Sequence, residues 1–241
     1  MNVKEAFQKI VTERRSVRVY DQEAYFDPEI VRRNLEMATL APNSSNLQLW
    51  EFYRIQDEQQ KSELASYCLN QSAAETAREL VIFVTRPDKW KQRAEFNRTK
   101  MNASVGDKKH VRKKIDYYYG KIVPFMYRND RFGLLGAMRK LFVFFSGLRK
   151  PMPREVGRTD TRIVTHKTLA LAAQTFMLGI KAEGYDTCPM EGFDSRRIKK
   201  MMKLPHKAEI NMVISVGPAA DNGIYGPRLR VPNAEVIFQN S

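Results

Sequence analysis

Ala41-Pro42-Asn43-Ser44-Ser45-Asn46-Leu47-Gln48-Leu49-Trp50 sets five small polar side chains between a well-marked helix and a short strand-like run, Glu51 to Ile55. A loop joining two regular elements carries function more often than the elements do. Ser, Asn and Gln offer donors and acceptors without charge, which suits the edge of a heterocyclic ring better than a metal or a bare phosphate. The same residues also read as a polar turn with Trp50 as a core anchor. The ten residues alone leave both readings open.

The helix that delivers this loop starts at Asp27-Pro28-Glu29: a capping carboxylate, Pro at the first helical position and an acid in the first turn. Ile30, Val31, Leu35, Ala38 and Ala41 mark its buried face. Upstream, Val3, Ala6, Phe7, Ile10 and Val11 predict an amphipathic helix over residues 3 to about 13. Arg14-Arg15-Ser16-Val17-Arg18-Val19-Tyr20 follows, with three guanidinium groups around a hydroxyl leading into an extended run. Arginine forks match phosphate and carbonyl oxygens, although cations at a helix C-terminus also simply complement its dipole.

Downstream of the loop, Asp57 to about Tyr67 is predicted helical, then Cys68-Leu69-Asn70-Gln71 intervenes. The continuous apolar run within Glu79 to Thr85 predicts a buried central strand. Residues 165 to 183 predict a long helix stopped by Gly184. The stretch from Cys188-Pro189 to Gly192-Phe193 reads as a Pro-x-x-Gly loop with free main-chain amides, Asp194 as the cap of a helix over 195 to 202, and 209 to 216 as the last strand. Near the end, Arg228-Leu229-Arg230 alternates two cations, and Val236, Ile237 and Phe238 need a surface to cover them.

With 241 residues and 43% apolar side chains the chain can bury a substantial core. Its two cysteines are too few for a disulfide framework and no zinc spacing occurs, so a reducing, cytoplasmic setting is expected. The first 18 residues alternate charge with apolar side chains and lack the apolar core of a secretory signal. The net charge is +14, and residues 86 to 158 hold all of it: 20 Lys/Arg against 6 Asp/Glu there, 21 of each sign elsewhere. A charge-balanced frame therefore carries a basic insertion that attracts anions. The insertion includes Tyr117-Tyr118-Tyr119 and an apolar run over 132 to 148 broken by Arg139-Lys140, too short and too charged to span a bilayer. An interfacial helix on an anionic membrane surface, a lid and a subunit contact all fit that run. No nucleic-acid recognition module is present, so a nucleic acid is not an expected partner.

Arg-Arg-Ser-Val-Arg, then Ala-Pro-x-Ser-x-Asn-x-Gln-x-Trp, then Cys-Pro-Met-Glu-Gly-Phe, then Arg-x-Arg, in that order, resembles the nitroreductase family of FMN-dependent NAD(P)H oxidoreductases. The resemblance covers residues 1 to about 85 and 160 to 238, with the insertion outside it. It implies an α+β, nitroreductase-like three-layer fold with a central mainly antiparallel sheet flanked by helices. It also implies an intertwined homodimer with FMN in two interface sites, and a single domain over 1–241 interrupted at about 86–158.

Carried onto this sequence, the resemblance assigns Arg14, Ser16 and Arg18, with Arg15 between them, to the flavin ring, ribityl chain and phosphate. Pro42, Asn43, Ser44 and Asn46 match the partner's covering loop, although Asn43 stands where Ser is common and Leu49 where Pro is usual. Asn70 falls at the pyrimidine edge, Pro189, Met190, Glu191 and Gly192 in the loop reaching flavin N5, and Arg228 with Arg230 at the phosphate. The implied chemistry passes hydride from NADPH or NADH through flavin N5 to a small electron-poor acceptor such as a nitroaromatic, quinone or activated alkene, in a ping-pong cycle. No catalytic side chain is expected, because hydride transfer needs no protein nucleophile, and no metal is expected either. The alternative is a membrane-surface or anion-binding protein that works through the basic insertion, with flavin structural or absent.

Overall fold

The apolar run at the centre of the sequence becomes the centre of the sheet. In the computed structural model, which describes residues 2–130 and 132–239, four strands form one sheet: β1 (Trp50–Ile55), β2 (Glu79–Thr85), β3 (Asp186–Met190) and β4 (Glu209–Gly217). Their spatial order is β1-β2-β4-β3, and every neighbouring pair is antiparallel.

Alternation along β2 sends its side chains to two cores. Leu80, Ile82 and Val84 pack with Leu64 and Ile198 of α3 (Glu58–Tyr67) and α10 (Ser195–Met201). Val81 and Phe83 pack on the other face with Ile30, Val31, Leu169 and Phe176 of α2 (Glu29–Ala38) and α9 (Arg158–Ala182). Helix, sheet and helix therefore form three layers. Each fully buried large side chain contributes about 1.5–3 kcal/mol of transfer free energy, so β2, buried at every position, anchors the fold. Its one buried charge, Glu79, is met by the Arg54 fork at 2.6 and 3.0 Å and by Gln56 at 3.2 Å.

α9 begins seven residues before the apolar pattern announces it. Arg158 to Arg162 are polar, and the helix starts where Asp160 accepts from the Gly157 amide at 2.8 Å. β3 also departs from expectation, since a loop was predicted around Pro189. The Thr187 carbonyl accepts from Val17 N–H at 3.2 Å, on the side of β3 away from β4. Pro189, two residues on, has its nitrogen on that same outer side, so the strand loses no ladder bond to β4.

The basic segment expected as an insertion is helical: α5 (Trp90–Ser104), α6 (Lys109–Tyr117), a π-turn over Tyr118–Ile122, α7 (Val123–Tyr127) and α8 (Leu134–Ser146). Its own core of Ala94, Ile115, Tyr119, Val123 and Tyr127 closes on Leu47 and Leu49 of the polar loop. α1 (Val3–Glu13) forms where predicted, but no residue of it is buried. Its apolar face, Val3, Phe7 and Val11, is exposed, as are Val236, Ile237 and Phe238 in the C-terminal tail.

Candidate functional site

Arg14 caps the C-terminal end of α1, its N–H donating to Ile10 O at 3.0 Å. The chain then runs extended along the outer edge of β3, with Ser16 and Thr187 forming a parallel bridge. Val17 is fully buried, so the alternation of an extended segment turns Ser16 and Arg18 the other way. Tyr20 ends the run in the core, its hydroxyl 2.8 Å from Ser215 Oγ, and burial raises this phenol well above its ordinary range.

The C-terminal segment returns to the same edge. Arg18 N–H donates to Gly223 O at 2.6 Å, and a Cβ on Gly223 would lie 2.4 Å from Val19 O, so only glycine permits the approach. Arg15 Nη2 donates to Gly226 O at 2.8 Å, and Arg228 Nη2 to Thr12 O at 2.8 Å. Between these segments lies a cleft of about 290 Å³ lined by Arg14, Arg15, Ser16 and Arg18 on one side and by Tyr225, Arg228 and Arg230 on the other. No carboxylate lines it, and among the described residues none of its five guanidiniums forms an ion pair. Burial, with the charges of Arg228 and Arg230 added to it, pushes the Arg14 guanidinium below its ordinary value. Such an arrangement of cations is stabilised by a multiply charged anion.

Thr187 leads along β3 to the next part of the site. Pro189 is half-buried, Met190 is buried, and Glu191 and Gly192 are exposed beyond the strand end. Met190 therefore offers main chain rather than side chain to a ligand. The turn after α3 abuts this segment: Gln71 Nε2 donates to Gly192 O at 2.8 Å and to Cys68 O at 2.9 Å. Asn70 is exposed beside it, and both Leu69 (φ 62°) and Asn70 (φ 51°) are left-handed. Gln71 escaped the sequence reading because it immediately precedes a short helix, α4 (Ser72–Glu75), and looks like its cap. Cys188 is buried near Arg14 and Arg18; burial pushes its thiol up against the pull of those two cations, and Cys68 is pushed up to about 12 by burial alone. Both thiols are free and buried, which suits packing rather than nucleophilic attack.

Pro42, Asn43, Ser44 and Asn46 lie elsewhere. They precede β1, at the sheet edge opposite β3, three strand spacings or roughly 14 Å across the sheet. One chain thus brings together the arginines, Ser16, Asn70 and residues 189–192, and holds the polar loop apart from them. The loop is strained and braced. Ser45, Asn46 and Gln48 have φ of 55°, 51° and 48°. Tyr127 donates to Ser44 Oγ at 3.0 Å, Tyr118 pairs with Ser45 Oγ at 3.0 Å, Tyr119 donates to Ser45 O at 3.2 Å, and Asn97 donates to Asn46 O at 2.5 Å. The tyrosine cluster was visible in the sequence, but its distance of some 70 residues from the loop concealed the contact. Backbone strain that neighbouring side chains maintain is characteristic of ligand-facing segments. Among the described residues no cluster of His, Cys, Asp and Glu has the makings of a metal site.

Comparison with known proteins gives the family. The profile described as Nitroreductase family matches residues 11–218. The Bacillus subtilis protein YdgI, whose name is that of an NAD(P)H nitroreductase, is 28% identical over 226 residues, which is 93% of this chain and 94% of YdgI. Among solved structures, YdfN of Bacillus subtilis superposes with a TM-score of 0.77 at 20% identity, covering 98% of this chain and 100% of that one. A structure from Exiguobacterium sibiricum, described as a nitroreductase in complex with FMN, gives a TM-score of 0.68 at 25% identity, covering 97% of both chains.

Proposed function

The chain belongs to the nitroreductase family, and from that premise we propose that it is an FMN-dependent NAD(P)H oxidoreductase that works as a homodimer. The observation that carries the reading is the cleft of five guanidiniums without a carboxylate, beside the exposed main chain at the end of β3. A flavin phosphate fits that donor set. Arg14, Arg15, Arg18, Arg228 and Arg230 would hold it through charge-assisted bonds, with Ser16 contributing its hydroxyl. The main chain at residues 190–192, steadied by Gln71 on Gly192 O, would face the flavin ring, with Asn70 at its edge.

FMN supplies the redox chemistry, accepting hydride from NADH or NADPH and delivering it to an electron-poor acceptor such as a nitroaromatic, quinone or activated alkene, the two substrates using the site in turn. The chain supplies binding, orientation and electrostatics. Of the cleft guanidiniums, those that reach the ring rather than the phosphate would stabilise the negative charge of the reduced cofactor from fixed positions.

The homodimer rests on two observations. The braced loop carrying Pro42, Asn43, Ser44 and Asn46 sits across the sheet from the cleft of its own chain, where a second copy can present it to the first. The apolar faces of α1 and the tail, Val3, Phe7, Ile237 and Phe238, stand open on a charge-balanced part of the chain and suit a partner subunit. The test is the visible spectrum of the purified protein, followed anaerobically by NADPH and, separately, NADH, and then by a nitroaromatic or quinone. Flavin bands that bleach with a nucleotide and return with an acceptor are expected. A colourless protein that takes up no added FMN would overturn the assignment.

A further inference from the structure

α8 is an amphipathic helix mounted the wrong way round for a globular core. At roughly 100° per residue, Leu134, Met138, Leu141, Phe142 and Phe145 fall on one continuous arc. All five, and Leu148 just past the helix end, are more than half exposed. The residues buried against the protein are Gly136, Arg139 and Val143. Arg139 fixes that orientation, donating through Nη1 to Phe125 O at 2.6 Å and Met126 O at 3.0 Å, and through Nη2 to Asn129 Oδ1 at 2.6 Å. Rotating the apolar arc inward would turn Arg139 out to solvent, break all three bonds and leave the Phe125 and Met126 carbonyls without their donor, so the outward face is built into the fold.

We propose that α8 docks the protein on an anionic membrane surface, lying in the plane of the interface with its phenylalanine and leucine arc among the acyl chains. At 13 residues the helix is about 20 Å long by the α-helical rise, too short to cross a bilayer. Charge identifies the occupant. Residues 86–158 carry 20 Lys/Arg against 6 Asp/Glu. A second copy meeting this face would set like charge against like, whereas anionic headgroups complement it. The cations also adjoin the apolar arc, since a concavity at the C-terminal end of α8 is lined by Phe145, Leu148, Arg149 and Lys150 together. Apolar insertion beside basic side chains is the combination that holds interfacial helices on anionic lipid. The exposed faces of α1 and the tail, on the charge-balanced frame, are left for the subunit contact.

The experiment is cosedimentation of the full-length protein with vesicles of phosphatidylcholine alone and of phosphatidylcholine with phosphatidylglycerol in equal parts, at low and high salt. Two double variants accompany it, Phe142→Asp with Phe145→Asp, and Arg149→Glu with Lys150→Glu. The expected result is partition onto the anionic vesicles only, reduced about tenfold or more by high salt and by each variant. Thermal unfolding checks that the variants fold, which is expected because all four substituted positions are exposed. Binding to neither vesicle, equal binding to both, or anionic binding that the aspartate variant leaves intact would each overturn the proposal. Light scattering separates the remaining occupant: an oligomer that the aspartate variant dissociates, without lipid binding by the native chain, reassigns the face to a second copy. The assay reads partition rather than turnover, so it succeeds or fails independently of the redox reading.

Discussion

Arg228 reaches back 216 residues to donate from Nη2 to the carbonyl oxygen of Thr12 at 2.8 Å, and the same nitrogen also bonds Arg14 O. The last turn of α1 and the C-terminal segment are thereby joined at the cleft, with the carbonyls at the end of α1 satisfied by a cation. Hydrogen bonds to charged groups are worth about 1.5–3 kcal/mol each. Arg228→Ala is therefore expected to weaken FMN binding about 10- to 100-fold, read as flavin fluorescence released on dilution. Arg228→Lys restores the charge without the fork and should recover only part of the loss. Full FMN affinity in the alanine variant would remove Arg228 from the site.

The brace on the polar loop makes a second expectation. Tyr127→Phe deletes the donor to Ser44 Oγ, a partly buried bond of 3.0 Å, and should lower unfolding stability by about 1 kcal/mol. If the loop covers the partner's flavin, FMN affinity should fall a few-fold as well. Tyr117→Phe, at an exposed ring, should change neither urea unfolding nor flavin retention. Equal effects from the two substitutions would dissociate the brace from the site.

Leu69 holds φ at 62° with its side chain exposed. A left-handed L-residue costs about 1–2 kcal/mol, and glycine removes that cost while losing more chain entropy on folding. Leu69→Gly should therefore raise stability by about 0.5–1 kcal/mol, a rise in Tm of about 1–4 °C for a chain of this size. Leu69→Val should lower it, because a β-branched side chain tolerates this region least. Calorimetry on the two variants decides the matter, and a destabilised glycine variant would show that Leu69 contributes packing that its exposure conceals.

Stability should also fall in acid through Glu51. Burial tends to raise this carboxyl, but donors from Lys89, Tyr53 and Arg86 outweigh it and hold it at about 2, below the ordinary 4.5. The folded value lies below the unfolded one, so the stabilisation is complete above the ordinary value and disappears as pH falls towards about 2. Glu51→Gln should cost on the order of 2 kcal/mol at neutral pH and almost nothing near the acid end. Urea unfolding at both pH values measures the difference, and a pH-independent cost would assign the loss to packing.

The strands and helices with a strong period were readable in advance: β2 as a continuous apolar run, α1, α3 and β4 to within a residue or two. The parts of the candidate site were readable as chemistry, because arginines near both ends of the chain and a polar loop each carry a signature. Their assembly was not readable. Nothing local in Arg228 announces Thr12, and Tyr127 lies 83 residues from Ser44. β3 was missed because Pro189 argues against a strand unless its neighbour lies on one side only. The outward face of α8 was equally hidden, since periodicity identifies an apolar arc but not the direction in which it is mounted.

Pro189 bears on how the molecule behaves in a crowded solution. An uncovered strand edge offers a row of donors and acceptors to any other extended chain, and self-templated fibres grow by accepting that offer. Here the bridge from Ser16 to Thr187 occupies part of the β3 edge, and the proline ring withholds the next donor along it. The edge that frames the cleft is thereby capped against strand-by-strand growth while its main chain past Met190 stays open to a small molecule.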